Sequence, residues 1–125
     1  MKGDARKAVV ILEAVADGGE PFQVHVALLE AYRAVGDQEN ALTQVRWLTD
    51  HRGRAYSELG CGWCQQPLNV ADTTLARLRA AELLAAVGNK VEARKELQGF
   101  DSQWQPAGLP NHLRVRREAV LATFN

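Results

Sequence analysis

An all-helical fold is what this chain of 125 residues predicts, and three features carry the prediction. Apolar residues recur at helical spacing in nearly every segment, and no stretch alternates with the period of two that a half-buried strand needs. Glycine followed by a polar capping residue interrupts the pattern where one helix would end and the next begin.

Taken in order, "DARKAVVILEAVADGG" has Asp4 as a candidate N-cap, an apolar face from Ala8, Val9, Leu12 and Val15, and Gly18-Gly19 as a stop. "PFQVHVALLEAYRAVGD" opens with Pro21, suited to a first turn, and ends at Gly36. Asp37 then caps "QENALTQVRWLTDH", which puts Ala41, Leu42, Val45 and Leu48 on one face. Two amphipathic helices joined by a tight Gly-Asp turn predict an antiparallel hairpin. From Gly53 to Thr73 the helical signal weakens: this stretch holds glycines, a proline and both cysteines of the chain. Ala55, Tyr56 and Leu59 extend the preceding helix until Gly60 and Gly62 end it, and Asn69 with Asp72 marks a capped start for "VADTTLARLRAAELLAAVG". The Gly88-Asn89 turn leads into "KVEARKELQGFDSQW", and Pro106 and Pro110 set off a last helix near Asn111 to Phe124 with Leu113, Val120, Leu121 and Phe124 as its apolar residues.

Gly3-Asp4 with Ala8, Gly36-Asp37 with Ala41, and Gly88-Asn89 with Ala93 share one spacing: a glycine, a capping residue, and an alanine five after the glycine. Gly3 and Gly36 are 33 residues apart and Gly36 and Gly88 are 52 apart. The second interval is one period of about 34 residues plus an insertion of roughly 18. A unit of this kind resembles the tetratricopeptide repeat (TPR): Leu28, Tyr32, Gly36 and Ala41 stand where that family keeps Leu, Tyr, Gly and Ala, and Ala80, Leu84, Gly88 and Ala93 stand there in the next copy. The copies are degenerate: His25 and Arg77 replace the usual tryptophan, Leu29 and Ala81 occupy its small partner position, and Leu48 and Phe100 replace a small residue late in the second helix. The resemblance implies antiparallel hairpins stacked as a short TPR-like solenoid: a half repeat at 3–20, repeats at 21–53 and 74–106, an inserted loop at 54–73 and a C-terminal capping helix at 110–125. It further implies a piece of a longer bacterial regulatory protein, whose missing upstream helix leaves an open apolar face and room for a homodimer through it.

Composition narrows the function. Fifteen basic and fifteen acidic residues cancel, so no global charge points to nucleic acid or an anionic membrane. No apolar run reaches the length of a membrane helix, and acids interrupt the short apolar stretch near the N-terminus as no signal peptide would allow. Those features predict a soluble, cytoplasmic protein. Cys61 and Cys64 form a C-x-x-C, but no strand precedes it for a thioredoxin-like thiol, and zinc would need two more ligands beyond it, with His51, Glu58 and Asp72 the nearest by sequence. Two ordinary thiols in a loop anchored by Trp63 are the expected state. His25, His51 and His112 show no metalloprotease spacing, phosphate-binding and nucleophile-elbow motifs are missing, and Glu92 and Glu96 fall among Arg94 and Lys95 as a solvated face.

The reading is thus a non-enzymatic interaction module or scaffold without catalytic residues, metal or cofactor, with a thiol or metal module at Cys61 and Cys64 as the alternative. By the TPR resemblance, Gln23, Val26, Glu30 and Arg33 of one first helix and Leu75, Leu78, Glu82 and Ala85 of the next line a binding groove. The expected partner is a protein, a peptide bearing basic and apolar residues, or a neighbouring domain, and neither nucleic acid nor membrane. Arg114, Arg116 and Arg117 are read as the solvated face of the last helix, and the insertion is expected to fold back over the hairpins through Tyr56, Trp63 and Leu68.

Overall fold

Glycine turns set the helix boundaries. At Gly36 the backbone enters the left-handed region (φ 83°), and the Asp37 N–H turns back to the Tyr32 carbonyl at 2.9 Å. Asp37 then accepts from the Asn40 N–H at 3.1 Å and starts the next helix. The same chemistry recurs at Gly88 (φ 81°), where the Asn89 N–H reaches Leu84 O at 2.9 Å and its side chain accepts from the Glu92 N–H at 3.3 Å. Glycine takes this conformation without a Cβ penalty, and each capping residue satisfies an N–H that the new helix leaves open.

The computed structural model describes residues 2–58 and 65–125. Its helices are α1 (Lys2–Val15), α2 (Phe22–Val35), α3 (Gln38–Asp50), α4 (Arg52–Ser57), α5 (Gln65–Ala86), α6 (Lys90–Gln103) and α7 (Asn111–Ala122), with one 3₁₀ turn at Pro106–Gly108. Every described element is helical, as the periodicity predicts. The chain divides into two compact units, Met1–Thr73 and Thr74–Asn125, and α5 contributes to both.

In the first unit α2 packs against α1 on one side and α3 on the other. Phe22, Leu28, Leu29, Tyr32, Ala41, Val45 and Leu48 are buried there. Ala41 is buried completely, and its single methyl is what allows close helix approach just past the turn. The Tyr32 hydroxyl donates to Glu13 of α1. Burial first, then that hydrogen bond and the charges of Glu13 and Asp37, push the Tyr32 hydroxyl up to about 12, so it stays a donor.

In the second unit Leu78 and Ala81 of α5, Leu97 and Phe100 of α6, Leu109, and Leu113 and Val120 of α7 form one apolar cluster. Phe100, where the repeat family keeps a small residue, is completely buried. At the neighbouring Gly99 the absence of a Cβ leaves room for the Arg77 side chain of α5 to lie across α6.

Several local expectations are corrected. Gly3 and Asp4 lie inside the first turn of α1, so the first occurrence of the spacing marks no turn between helices. Asn69 is not a cap: α5 begins at Gln65, because Pro67 sits within a first turn where its missing N–H costs nothing, and this leaves Asn69 mid-helix and fully buried. The 54–73 segment is therefore largely helix, α4 and the start of α5, and its remainder, with Cys61, Trp63 and Cys64, lies outside the described residues. The segment does meet the first hairpin, through Arg54, Glu58, Asn69 and Asp72, but not through Tyr56 and Leu68: α4 buries Ala55 and α5 buries Asn69 and Thr73, which turns those two side chains out to solvent.

Replacing Phe100 with alanine should lower unfolding stability by about 3–5 kcal/mol. Gly88→Ala, strained only by its positive φ, should cost about 1–2 kcal/mol, and Val91→Ala at an exposed site should stay within about 0.5 kcal/mol of the parent. Urea unfolding followed by circular dichroism ranks the three, and equal losses at Phe100 and Val91 would refute the assigned core.

Candidate functional site

The eight residues expected to line a groove divide between the units. On α2, the Gln23 amide donates to Asn69 Oδ1 at 2.7 Å and Asp72 Oδ2 at 3.0 Å, so it ties α2 to the first turns of α5. Val26 is half-buried, and Glu30 and Arg33 are exposed and pair one helical turn apart at 3.5 Å. That stretch of α2 offers an apolar centre with a charged edge. On α5, Leu78 has no exposed surface and belongs to the core of the second unit, and Leu75 and Ala85 pack against the same cluster. Glu82 is held by Arg116 of α7 through two bonds of 2.6 and 2.8 Å.

The last helix corrects a second expectation. Arg116 and Arg117 do not form a solvated basic face. Arg117 grips both carboxylate oxygens of Asp101 at 2.7 Å each, and that hydrogen bonding, against a smaller opposing effect of burial, raises its already high pKa. Two bidentate clamps thus fasten α7 to α5 and to α6, with the planar fork of each arginine matching a carboxylate. Arg114 stays exposed and donates to Asn111 Oδ1 of its own first turn at 2.8 Å.

Where α2, α3 and α4 meet, the structure assembles a polar and aromatic cluster that no single segment announces. Glu20, on the linker before α2, is 7% exposed and lies against the Nε2 of His25, itself 6% exposed. Its other oxygen accepts from the Gly18 N–H. The Nδ1 of His25 faces Gln44 Oε1 at 2.7 Å, so both ring nitrogens are engaged. Trp47 stacks on His25 at 3.4 Å between ring centroids and on His51 at 4.1 Å, with the Arg54 guanidinium 5.5 Å from its ring. Arg54 also reaches the Glu20 carbonyl and the Glu58 carboxylate. Glu58 in turn accepts from the Phe22 N–H at 2.7 Å, placing an anion on the N-terminus of α2, where the helix dipole favours it.

Burial is the largest single influence on the Glu20 carboxyl and pushes it up, but bonds from its own N–H, from His25 and from Gly18, with the His25 charge, together leave it below the ordinary carboxylate value. With both nitrogens of His25 engaged and the ring covered, neither is open to an outside substrate. The cluster fixes the α1–α2 linker and the α3 C-terminus. Among the described residues no group of three or more His, Cys, Asp or Glu is placed to hold a metal ion. No described helix is long and apolar enough to cross a membrane. The i,i+4 pairs Trp47/His51 and Arg54/Glu58 were available in the sequence as signals; the meeting of Glu20 with His25 was not, because it depends on the path of the linker.

A carboxylate held below its unfolded pKa contributes stability that is present above the unfolded value and lost as pH falls through the folded one. Stability should therefore decline as pH falls below about 4.3, the ordinary Glu value. Glu20→Gln removes that dependence and costs about 1–3 kcal/mol at neutral pH by leaving buried groups unmatched. Urea titrations of both proteins at stepped pH check this, and parallel stability curves at all pH values would remove Glu20 from the account.

Compared with protein-family models, with curated proteins and with solved structures, the chain shows no match.

Proposed function

We propose that this chain is a non-catalytic helical-repeat interaction module of the TPR-like kind, part of a larger regulatory polypeptide, that presents a preformed helical surface to a protein or peptide. The observation that carries the reading is the recurrence at Gly36-Asp37-Ala41 and Gly88-Asn89-Ala93 of one turn: left-handed glycine, side-chain cap, and a fully buried alanine in the following helix. A chain that builds two hairpins by one rule has the makings of a repeat scaffold, and such scaffolds act through their surfaces. The polar clusters support the same reading, since His25 on Glu20 and Gln44, Glu58 on Phe22, Arg116 on Glu82 and Arg117 on Asp101 each join one helix or linker to another.

The surface offered on α2 is Val26 with Glu30 and Arg33 beside it. An apolar position next to a carboxylate favours a segment carrying an apolar anchor and a basic residue, and the peptide would be held by packing and charge with no covalent step. Gln23, spent on Asn69 and Asp72, serves to set the surface rather than to contact the partner.

A peptide array that varies charge and apolar content tests this. Enrichment of basic, apolar peptides is expected, with binding weakened about tenfold or more by Val26→Glu and the charge preference shifted toward acidic peptides by Glu30→Arg. No enrichment, or enrichment indifferent to both substitutions, would sink the proposal. Stoichiometric zinc in the native protein, with helicity lost on chelation, would instead favour the thiol or metal reading of Cys61 and Cys64.

A further inference from the structure

The two side-chain amides between α2 and the first turns of α5, all within the first unit, can point only one way. A carboxylate oxygen accepts and does not donate, so Asp72 Oδ2, at 3.0 Å, requires the nitrogen end of the Gln23 amide. That nitrogen meets Asn69 at 2.7 Å and requires an acceptor there, which turns Asn69 Oδ1 toward Gln23 and Asn69 Nδ2 the other way. Flipping either amide would set donor against donor or oxygen against oxygen. Asn69 has no exposed surface, so its Nδ2 is a donor held inside the protein, and no described residue accepts from it.

One turn further along α5 stands Thr73, 5% exposed, whose Oγ1 is also buried without a partner among the described residues. Residues four apart on a helix hold their Cβ atoms about 5–6 Å from each other. Two hydrogen bonds of about 2.8 Å laid end to end cover the same distance. The spacing therefore suits one small molecule that can take a hydrogen from the amide and also bond a hydroxyl.

We propose that Asn69 Nδ2 and Thr73 Oγ1 share one buried water molecule. The asparagine donates to the water oxygen, and the threonine hydroxyl, which rotates to suit, donates to the same oxygen or accepts from the water. Burial this complete excludes a ligand that enters and leaves through a surface opening, and neither side chain carries a charge to hold an ion. Leaving two buried groups unmatched costs more than immobilising one water, and buried waters occur where polar groups need them. The bridge ties the Asn69 amide to the next turn of its own helix, so the acceptor that Gln23 meets is held from behind. It belongs to the contact between α2 and α5 and does not depend on what α2 binds.

Thr73→Val keeps the shape of the side chain and removes the hydroxyl, and the sign of its effect separates a bridged hydroxyl from a bare one. With the water in place, the substitution breaks the bridge and the urea midpoint should fall by about 0.3–1 M. A bare hydroxyl would be better replaced by a methyl group, and the midpoint would rise. Thr73→Ser keeps the hydroxyl and should keep the water. High-resolution crystal structures of the native chain and of Thr73→Ser should show a density peak within about 3.2 Å of both atoms, and that of Thr73→Val should lack it. Circular dichroism checks folding; if Thr73→Val loses helicity, the native and Thr73→Ser crystals carry the test. A native crystal with no peak there, a peak in reach of only one of the two atoms, or a raised midpoint for Thr73→Val would overturn the proposal.

Discussion

The constraint on which the structure depends is that a helix must stop and restart within two residues without leaving buried backbone groups unpaired. At Gly36-Asp37 and Gly88-Asn89 the ending helix has its last carbonyls met by the N–H groups of the turn, and the starting helix has an early N–H met by a side chain. An alanine substituted for either glycine would have to hold a positive φ that L-residues disfavour by about 1–2 kcal/mol. A turn this short forces the two helices to lie side by side. Ala41 and Ala93 are buried four residues after each capping residue, where bulk would push the helices apart. Turn chemistry thus dictates both the hairpin and the size of the side chain allowed in its core.

Within each unit, long-range polar contacts do work that apolar packing alone leaves undone. Apolar contact is tolerant of sliding, whereas a bidentate arginine pair is satisfied at one register only. Arg116 on Glu82 and Arg117 on Asp101 set α7 both along and around its axis. The Glu20, His25 and Trp47 cluster does the same for the linker that leads into α2, and Glu58 completes it from α4 by capping the helix that the others position. Most of these groups are partly exposed, so their value lies more in register than in free energy.

What was legible in the sequence follows from range. Turn residues act within four positions of themselves, and the apolar period of a helix spans a few turns, so the two hairpins, the stop at Gly18 and the last helix could be read from neighbouring letters. Asn69 misled because a polar residue before an apolar run has the same local appearance whether it caps a helix or sits buried within one. Only the partner, Gln23, decides, and it lies 46 residues away. The arginines of α7 misled for the same reason: a basic run looks solvated until the carboxylates of other helices are placed beside it. Of the expected groove, α2 keeps Val26, Glu30 and Arg33 at or near the surface, while Leu78 went to the core because its period fits a buried face as well as a lining one.

Local rules are broken at one place in the first unit. Asn69 Nδ2 and Thr73 Oγ1, one helical turn apart on α5, are buried with no hydrogen-bond partner among the described residues, although leucine or valine would fill such space without a desolvation cost. Each unmatched group costs about 1–3 kcal/mol. Sequences bear such costs where register or function requires polarity. Here the same asparagine accepts from Gln23, and an apolar replacement would remove one of the two bonds by which Gln23 sets the register of α2 on α5, leaving Asp72 alone to hold it. A surface that binds by side-chain placement depends on that register, so the buried polar residue of α5 and the exposed ones of α2 belong to one arrangement.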